Sequence, residues 1–284
     1  MLGIILGLIS AFCWGSASVL VKVGLKDKSP VYANVIRLYF SATTYVLIFL
    51  ITGRLELLVS LPIKYHILAF ISGQFGFVIG DYFYFSALKR LGVSRTVPIT
   101  STYPLWTILW AFLLGKEITV LTVIGAVLIV IGIVIVRKAE TEENVDPVGI
   151  LYAFLTPIFW SLAIIIMDWL SSRIESLSLA GLRIIYAAVG ITFVSWRYLP
   201  EFKKATRKEL LVLSLAGLLG LVVAQYSFVK GTALVGAEIV TPVTAINPMI
   251  STLLAIGLLK EPFNKKILIS LILIITGIIL ISQA

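Results

Sequence analysis

Apolar residues along this chain gather into ten runs, each about as long as a bilayer is thick, with short polar breaks between them. The runs cover Leu2–Val21, Ala33–Ile51, His66–Leu88, Thr96–Gly115 and Ile118–Val136, then Gly149–Leu170, Leu177–Trp196, Leu211–Ala233, Glu238–Leu259 and Lys266–Ser282. A hydrocarbon core about 30 Å thick takes about 20 residues of helix at 1.5 Å each. Runs so long and evenly apolar do not suit barrel strands, and backbone amides in lipid must bond within their own segment. The predicted fold class is therefore an all-α membrane protein with ten transmembrane helices and no soluble domain.

The polar breaks order these helices. Lys116-Glu117 and Lys260-Glu261-Pro262 are short enough to predict antiparallel helical hairpins. The most charged break holds Arg137, Lys138, Glu140, Glu142, Glu143 and Asp146, and falls at the middle of the chain. It predicts a linker over 139–148 between a first five-helix repeat, 1–138, and a second, 149–284. Residues recur across that linker: Trp14 precedes Arg37 by the same 23 positions that separate Trp160 from Arg183. Gly92, Pro98, Pro104, Lys116 and Glu117 return with identical spacing as Gly236, Pro242, Pro248, Lys260 and Glu261, and Tyr82 returns as Tyr226. Duplication explains this better than coincidence. Five spans is an odd number, so the second copy would insert from the opposite face, giving inverted-topology repeats around a central site as in secondary transporters.

Composition narrows the function. Hydrophobic residues make up 60% of the 284 and charged residues 13%, against about 25% charged in soluble domains. A net charge of +9 would ordinarily raise nucleic acid as a partner, but the basic residues lie in the breaks, where they orient helices and meet lipid head groups. Cys13 is the single cysteine, which excludes an intrachain disulfide. No Walker-type phosphate loop is present, which argues against an ATPase.

Two ordered copies of this pattern resemble the drug/metabolite transporter superfamily, in its EamA-like branch. The likeness rests on Trp14 and Trp160, Arg37 and Arg183, the Gly-x5-Pro-x5-Pro run into each fourth helix, and the turns at Glu117 and Glu261. It extends over essentially the whole chain. The resemblance implies ten helices around a cavity lined by the first, third and fourth helix of each half. It further implies export or exchange of small organic metabolites across the cell membrane, with no ATP, cofactor or metal and no catalysis. Basic residues concentrated in odd-numbered breaks would put both termini outside the cell, whereas the resemblance puts them in the cytosol.

Polar groups within the runs are the candidate site, since ionisable residues there cost about 2.5–3.5 kcal/mol on insertion scales. Asp81 leads: Gln74 stands one heptad earlier, on the same face of a regular helix, and Tyr82 and Tyr84 flank it. Its counterpart in the second half is Gln225, beside Tyr226. Trp14 and Trp160 fall at mid-span, where an indole can wall a ligand and bond a polar neighbour through its N–H. Tyr103 and Asn247 precede Pro104 and Pro248, two helix-kink prolines that free the carbonyls of Thr100 and Thr244. These ten, Trp14, Gln74, Asp81, Tyr82, Tyr84, Tyr103, Trp160, Gln225, Tyr226 and Asn247, are the expected substrate-binding residues, and Asp81 is also the candidate site for proton coupling. Arg37, Arg183, Glu117 and Glu261 are expected to form scaffold ion pairs. Asp168 and Lys22, at matching span ends, are read as solvated interfacial groups. Two rivals compete with a transporter of amino acids or amines. One is a passive channel. The other is an intramembrane aspartyl protease using Asp81, since Ile79-Gly80-Asp81 approaches a Gly-x-Gly-Asp motif with Asp168 as partner.

Overall fold

A computed structural model describes residues 1–25, 28–91, 96, 99–137, 146–247, 249–250 and 265–283. The described residues are helical, with no strand. In chain order the principal helices are α1 (Leu2–Leu25), α2 (Pro30–Ile51), α3 (Ile63–Leu91), α4 (Tyr103–Leu113) and α5 (Val120–Arg137). The second half supplies α6 (Pro147–Ser171), α7 (Ser176–Ser195), α8 (Arg207–Val235), α9 (Ala237–Thr244) and α10 (Lys265–Ser282). Six segments are long and apolar enough to cross a membrane: Leu2–Val21, α2, α3, α6, Ser176–Phe202 and α8. Tyr103–Leu113, Val120–Ile135 and Ile272–Ile281 are shorter apolar helices.

Local sequence sets the helix starts. Ser29 accepts the Tyr32 amide ahead of Pro30, Asp146 accepts the Val148 amide ahead of Pro147, and Thr206 forms a capping box with Glu209. Each such cap satisfies amides that have no partner inside the helix. The α4–α5 connection is tight, as expected, and turns at Gly115 with φ +84°, a conformation that favours glycine.

Two departures from regular helix matter for the site. α3 carries a π turn over Gln74–Gly80, and α8 carries one over Leu218–Val223. Each inserts one residue, turning everything downstream by about 100° and freeing carbonyls. Side chains from other helices bond these segments: Asn34 Nδ2 donates to Phe77 O at 2.7 Å, Trp14 Nε1 to Gly220 O at 2.8 Å, and Tyr45 OH to Val222 O at 3.1 Å. The fourth helix of each half is also interrupted, by turns at 101–102 and 245–246.

Packing repeats when the halves are exchanged. α1 lies on α8 and α9, as α6 lies on α3 and α4; α2 packs on α7, α4 on α9 and α5 on α10. The last pair meets at Gly125 and Gly277, where a Cβ on either would stand 2.6 Å from the other's carbonyl oxygen. Gly3 faces Val235 as Gly149 faces Leu91. The buried core, including Leu38, Tyr45, Phe49, Met167, Leu179 and Phe228, runs continuously through both halves.

Candidate functional site

A polar and aromatic cluster forms where α3, α4, α6 and α9 meet. Asp81 Oδ1 accepts a hydrogen bond of 3.2 Å from Trp160 Nε1. The indole lies 5.1 Å from the Tyr84 ring and meets Tyr103 edge-on at 5.9 Å. The Tyr103 hydroxyl shares a 3.1 Å bond with Thr244 Oγ1 at the C-terminus of α9. Gly80 makes the approach of Trp160 possible, because a Cβ there would stand 2.5 Å from the indole Cδ1. Asn247, past the break in α9, donates to Thr244 O at 3.2 Å.

Trp14 occupies the equivalent place in the other half. It donates to Gly220 O in the π turn of α8 and packs 5.2 Å from Phe228. Both indoles therefore bond a polar neighbour at the third helix of the opposite half, one a carboxylate and the other a carbonyl.

The structure redistributes the remaining expected residues. Gln74 does not join Asp81, because the π turn between them breaks the heptad relation. Its amide donates instead to Tyr186 O on α7 at 2.7 Å, in a space that Gly190 leaves by having no side chain. Tyr82 and Tyr226 are 44% and 37% exposed, Tyr82 packing against Phe83 and Tyr152. Gln225 is buried and accepts from Arg183 Nη1 at 3.1 Å. Arg183 Nε also donates to Ser72 Oγ at 2.9 Å, and the guanidinium lies 5.1 Å from the Phe77 ring. Arg183 is thus held by neutral groups, without the expected ion pair among the described residues. Arg37, 8% exposed, forms no ion pair among the described residues, and its Nε has no hydrogen-bond partner.

Glu117 is exposed, and the residue that anchors the α4–α5 turn is its neighbour. Lys116 Nζ bonds Asp168 Oδ2 at 2.6 Å and Glu238 Oε2 at 2.8 Å, while Asp168 Oδ1 accepts the Ala237 amide at 3.1 Å. Burial alone would lower the lysine's pKa; the bonds to both carboxylates outweigh it and hold the ammonium above its ordinary value. Asp168 is accordingly a half-buried clamp residue joining the two halves, not a solvated span end. Lys116→Met would leave two carboxylates facing each other without a cation. Amide exchange in 237–244 is expected to accelerate at least about tenfold, roughly 1.4 kcal/mol, read by hydrogen–deuterium exchange; an unchanged rate would show that the clamp holds nothing. Pro104 opens α4 within its first turn. Gly92, Pro98, Pro248, Glu261, the Lys22 side chain and most of the 139–148 linker lie outside the described residues.

Three contributors escaped sequence reasoning: Ser72, the π turns, and the glycines beneath the arginines. The glycines left a signal, since Gly73 and Gly76 recur as Gly217 and Gly220 with the spacing of Tyr82 and Tyr226. A cavity of about 600 Å³ opens elsewhere, among Ile99, Leu105, Trp106, Val134 and Phe154. Its walls are almost wholly apolar, and it contains none of the polar cluster. The protease reading loses its second carboxylate to the Lys116 clamp.

Helices that can cross a bilayer, with buried charge at their contacts, define a multi-pass membrane protein of the transporting class. The chain belongs to the EamA-like transporter family, whose model matches residues 1–138 and 147–283. An uncharacterised transporter of Archaeoglobus fulgidus is 27% identical over 99% of this chain and 98% of its own. A Listeria monocytogenes protein whose name provisionally attributes sugar uptake to it is 25% identical over 100% of this chain and 99% of its own. A solved crystal structure superposes with a TM-score of 0.83 at 19% identity, covering 99% of this chain and 97% of that one, which speaks to the fold alone.

Proposed function

We propose that the protein is a secondary transporter, an exporter or exchanger of small organic metabolites such as amino acids or amines, working by alternating access in the cell membrane. On this reading it has ten spans, and the two five-helix repeats, 1–138 and 149–284, are inverted with respect to each other and rock about the cluster at Asp81 and Trp160. The observation that carries the reading is the bond between Asp81 of one half and Trp160 of the other, a carboxylate held within the spans at a contact between halves. Intramembrane carboxylates in such positions mark substrate and proton pathways. The interrupted fourth helices add weight, because broken helices at depth persist where they line a cavity or are enclosed by protein. Trp14, Tyr84, Tyr103 and Asn247 supply aromatic and polar walls. Gln74, Gln225, Tyr82 and Tyr226 belong to its support and its outer surface.

Counterflow in proteoliposomes tests this over a solute panel and a range of pH. Trans substrate accelerates uptake by a carrier but leaves a pore unaffected, so acceleration separates the transporter from the channel. Asp81→Asn is expected to lower the rate at least about tenfold, the loss of one charge-assisted contact, and to flatten its pH dependence. An Asp81→Asn protein with unaltered rate and pH profile would remove Asp81 from the mechanism. Sugars belong on the panel because of the Listeria relative's name and because flat indoles also suit sugar rings.

A further inference from the structure

The two arginines that the repeat aligns are in opposite states. Arg183 spends its guanidinium on Ser72 and Gln225, with Phe77 beneath it. Arg37 is buried to a similar degree, yet its Nε bonds nothing among the described residues. The repeat mate of Gln225 is Asp81, the group that would close on Arg37 as Gln225 closes on Arg183. Asp81 is held by Trp160 instead. Arg37 and Asp81 do not meet as an ion pair among the described residues.

The imbalance extends along α2. Asn34 and Ser41 stand three positions before and four after Arg37, so all three share one helix face. Asn34 Oδ1 and Ser41 Oγ are also buried without partners among the described residues. Unpaired buried polar atoms are expensive, and a buried guanidinium most of all. Gly220 packs against this group: a Cβ there would lie 3.1 Å from Ala17 Cβ and 3.7 Å from both Arg37 Nη2 and Trp14 Cδ1, so the guanidinium and the Trp14 indole are neighbours. Resting on the transporter reading above, we infer that Arg37 is the substrate-anion residue of the site: it takes the carboxylate of a small zwitterion whose ammonium is directed to Asp81. The guanidinium fork matches a carboxylate with two parallel N–H···O bonds. Asp81 Oδ1 accepts from Trp160, and its other oxygen, Oδ2, is the one this assignment gives to the ammonium. Arg183, already satisfied, takes no part.

The test uses full-length protein in proteoliposomes, with the twenty proteinogenic amino acids as first probes and glucose as the sugar probe. The amino acid giving the fastest counterflow is then compared with its carboxamide and its decarboxylated amine. Wild type is expected to exchange both analogues at least about thirtyfold more slowly, the equivalent of ~2 kcal/mol for an unpaired buried charge. In Arg37→Gln the acid and its carboxamide are expected to converge to within about threefold, with Arg37→Lys between. Wild type that carries the amine or carboxamide as fast as the acid overturns the inference, and needs no variant to do so. So does an Arg37→Gln protein that keeps the thirtyfold preference. Saturable counterflow of glucose alone would sink the inference but leave the transporter standing, whereas counterflow with no solute removes both.

Discussion

Arg183→Met is expected to lower the melting temperature of the detergent-solubilised protein, and Arg37→Met to raise it. The substitution is the same, the two sites are repeat mates, and both side chains are buried, so only their partners distinguish them. Removing Arg183 leaves Gln225 Oε1 without its donor and takes from Ser72 the bond it accepts, although Ser72 still donates to Ala163 O. Breaking such a network costs about 2–4 kcal/mol. Arg37 has no comparable bonds among the described residues, and its Nε has none. A buried donor left unsatisfied costs about 1–3 kcal/mol, a cost that an apolar side chain of similar length does not carry. Tryptophan fluorescence during heating, with six tryptophans in the chain, reads both shifts. Equal losses at both positions would show that Arg37 has structural partners after all. A residue that weakens the fold it sits in is retained for function, so the gain in stability at Arg37 should coincide with loss of transport.

Helix locations were legible because they follow from one quantity, the length of apolar run against bilayer thickness. α2, α6 and α7 lie within a few residues of their predicted limits. The fourth and ninth runs, predicted as continuous, are interrupted by turns at 101–102 and 245–246, and most of the ninth run beyond 250 lies outside the described residues. The prolines signalled an interruption, but a hydropathy run does not register a break, since its residues stay apolar. Of the site, the pairing of Trp160 with a polar neighbour was legible, because an indole N–H at depth must go somewhere. The face of Asp81 was not. A heptad relation to Gln74 holds only in regular helix, and the π turn between them goes with close packing: Gly73 admits the backbone of α7, and Gly80 the ring of Trp160.

The difference between Arg37 and Arg183 was hidden for another reason. Both share spacing, depth and neighbouring glycines, so symmetric roles follow from the sequence. The asymmetry lies in the third helices, where Ser72 in α3 aligns with Ala216 in α8 and Asp81 with Gln225. Duplication supplies two equal scaffolds; single substitutions then satisfy one arginine and release the other. A neutral amide closes one pair, and a carboxylate drawn away by an indole leaves its mate open.

Those glycines yield the largest expected loss of stability. Gly73→Ala would place a Cβ 2.5 Å from the carbonyl oxygen of Arg183, a backbone atom in the middle of α7 that no rotamer change can move. Gly217→Ala, the repeat mate, meets Arg37 O at 2.9 Å and Ser41 Oγ at the same distance, and the serine can rotate away. Gly76→Ala touches Ala163 Cβ at 3.4 Å, an ordinary contact. Overpacking of a close helix pair costs about 1–3 kcal/mol and more where only backbone can yield. Gly73→Ala is therefore expected to lose ~3 kcal/mol or more and most of its monodisperse yield, with Gly217→Ala intermediate. Gly76→Ala should match wild type, since alanine's better helix propensity offsets a mild contact. Fluorescence-detected size exclusion ranks the three directly. Because α3 carries Asp81 and α7 carries Arg183, a Gly73→Ala protein as well folded as Gly76→Ala would mean that the two helices are not in van der Waals contact at this point, and that the scaffold joining the two halves is assembled differently.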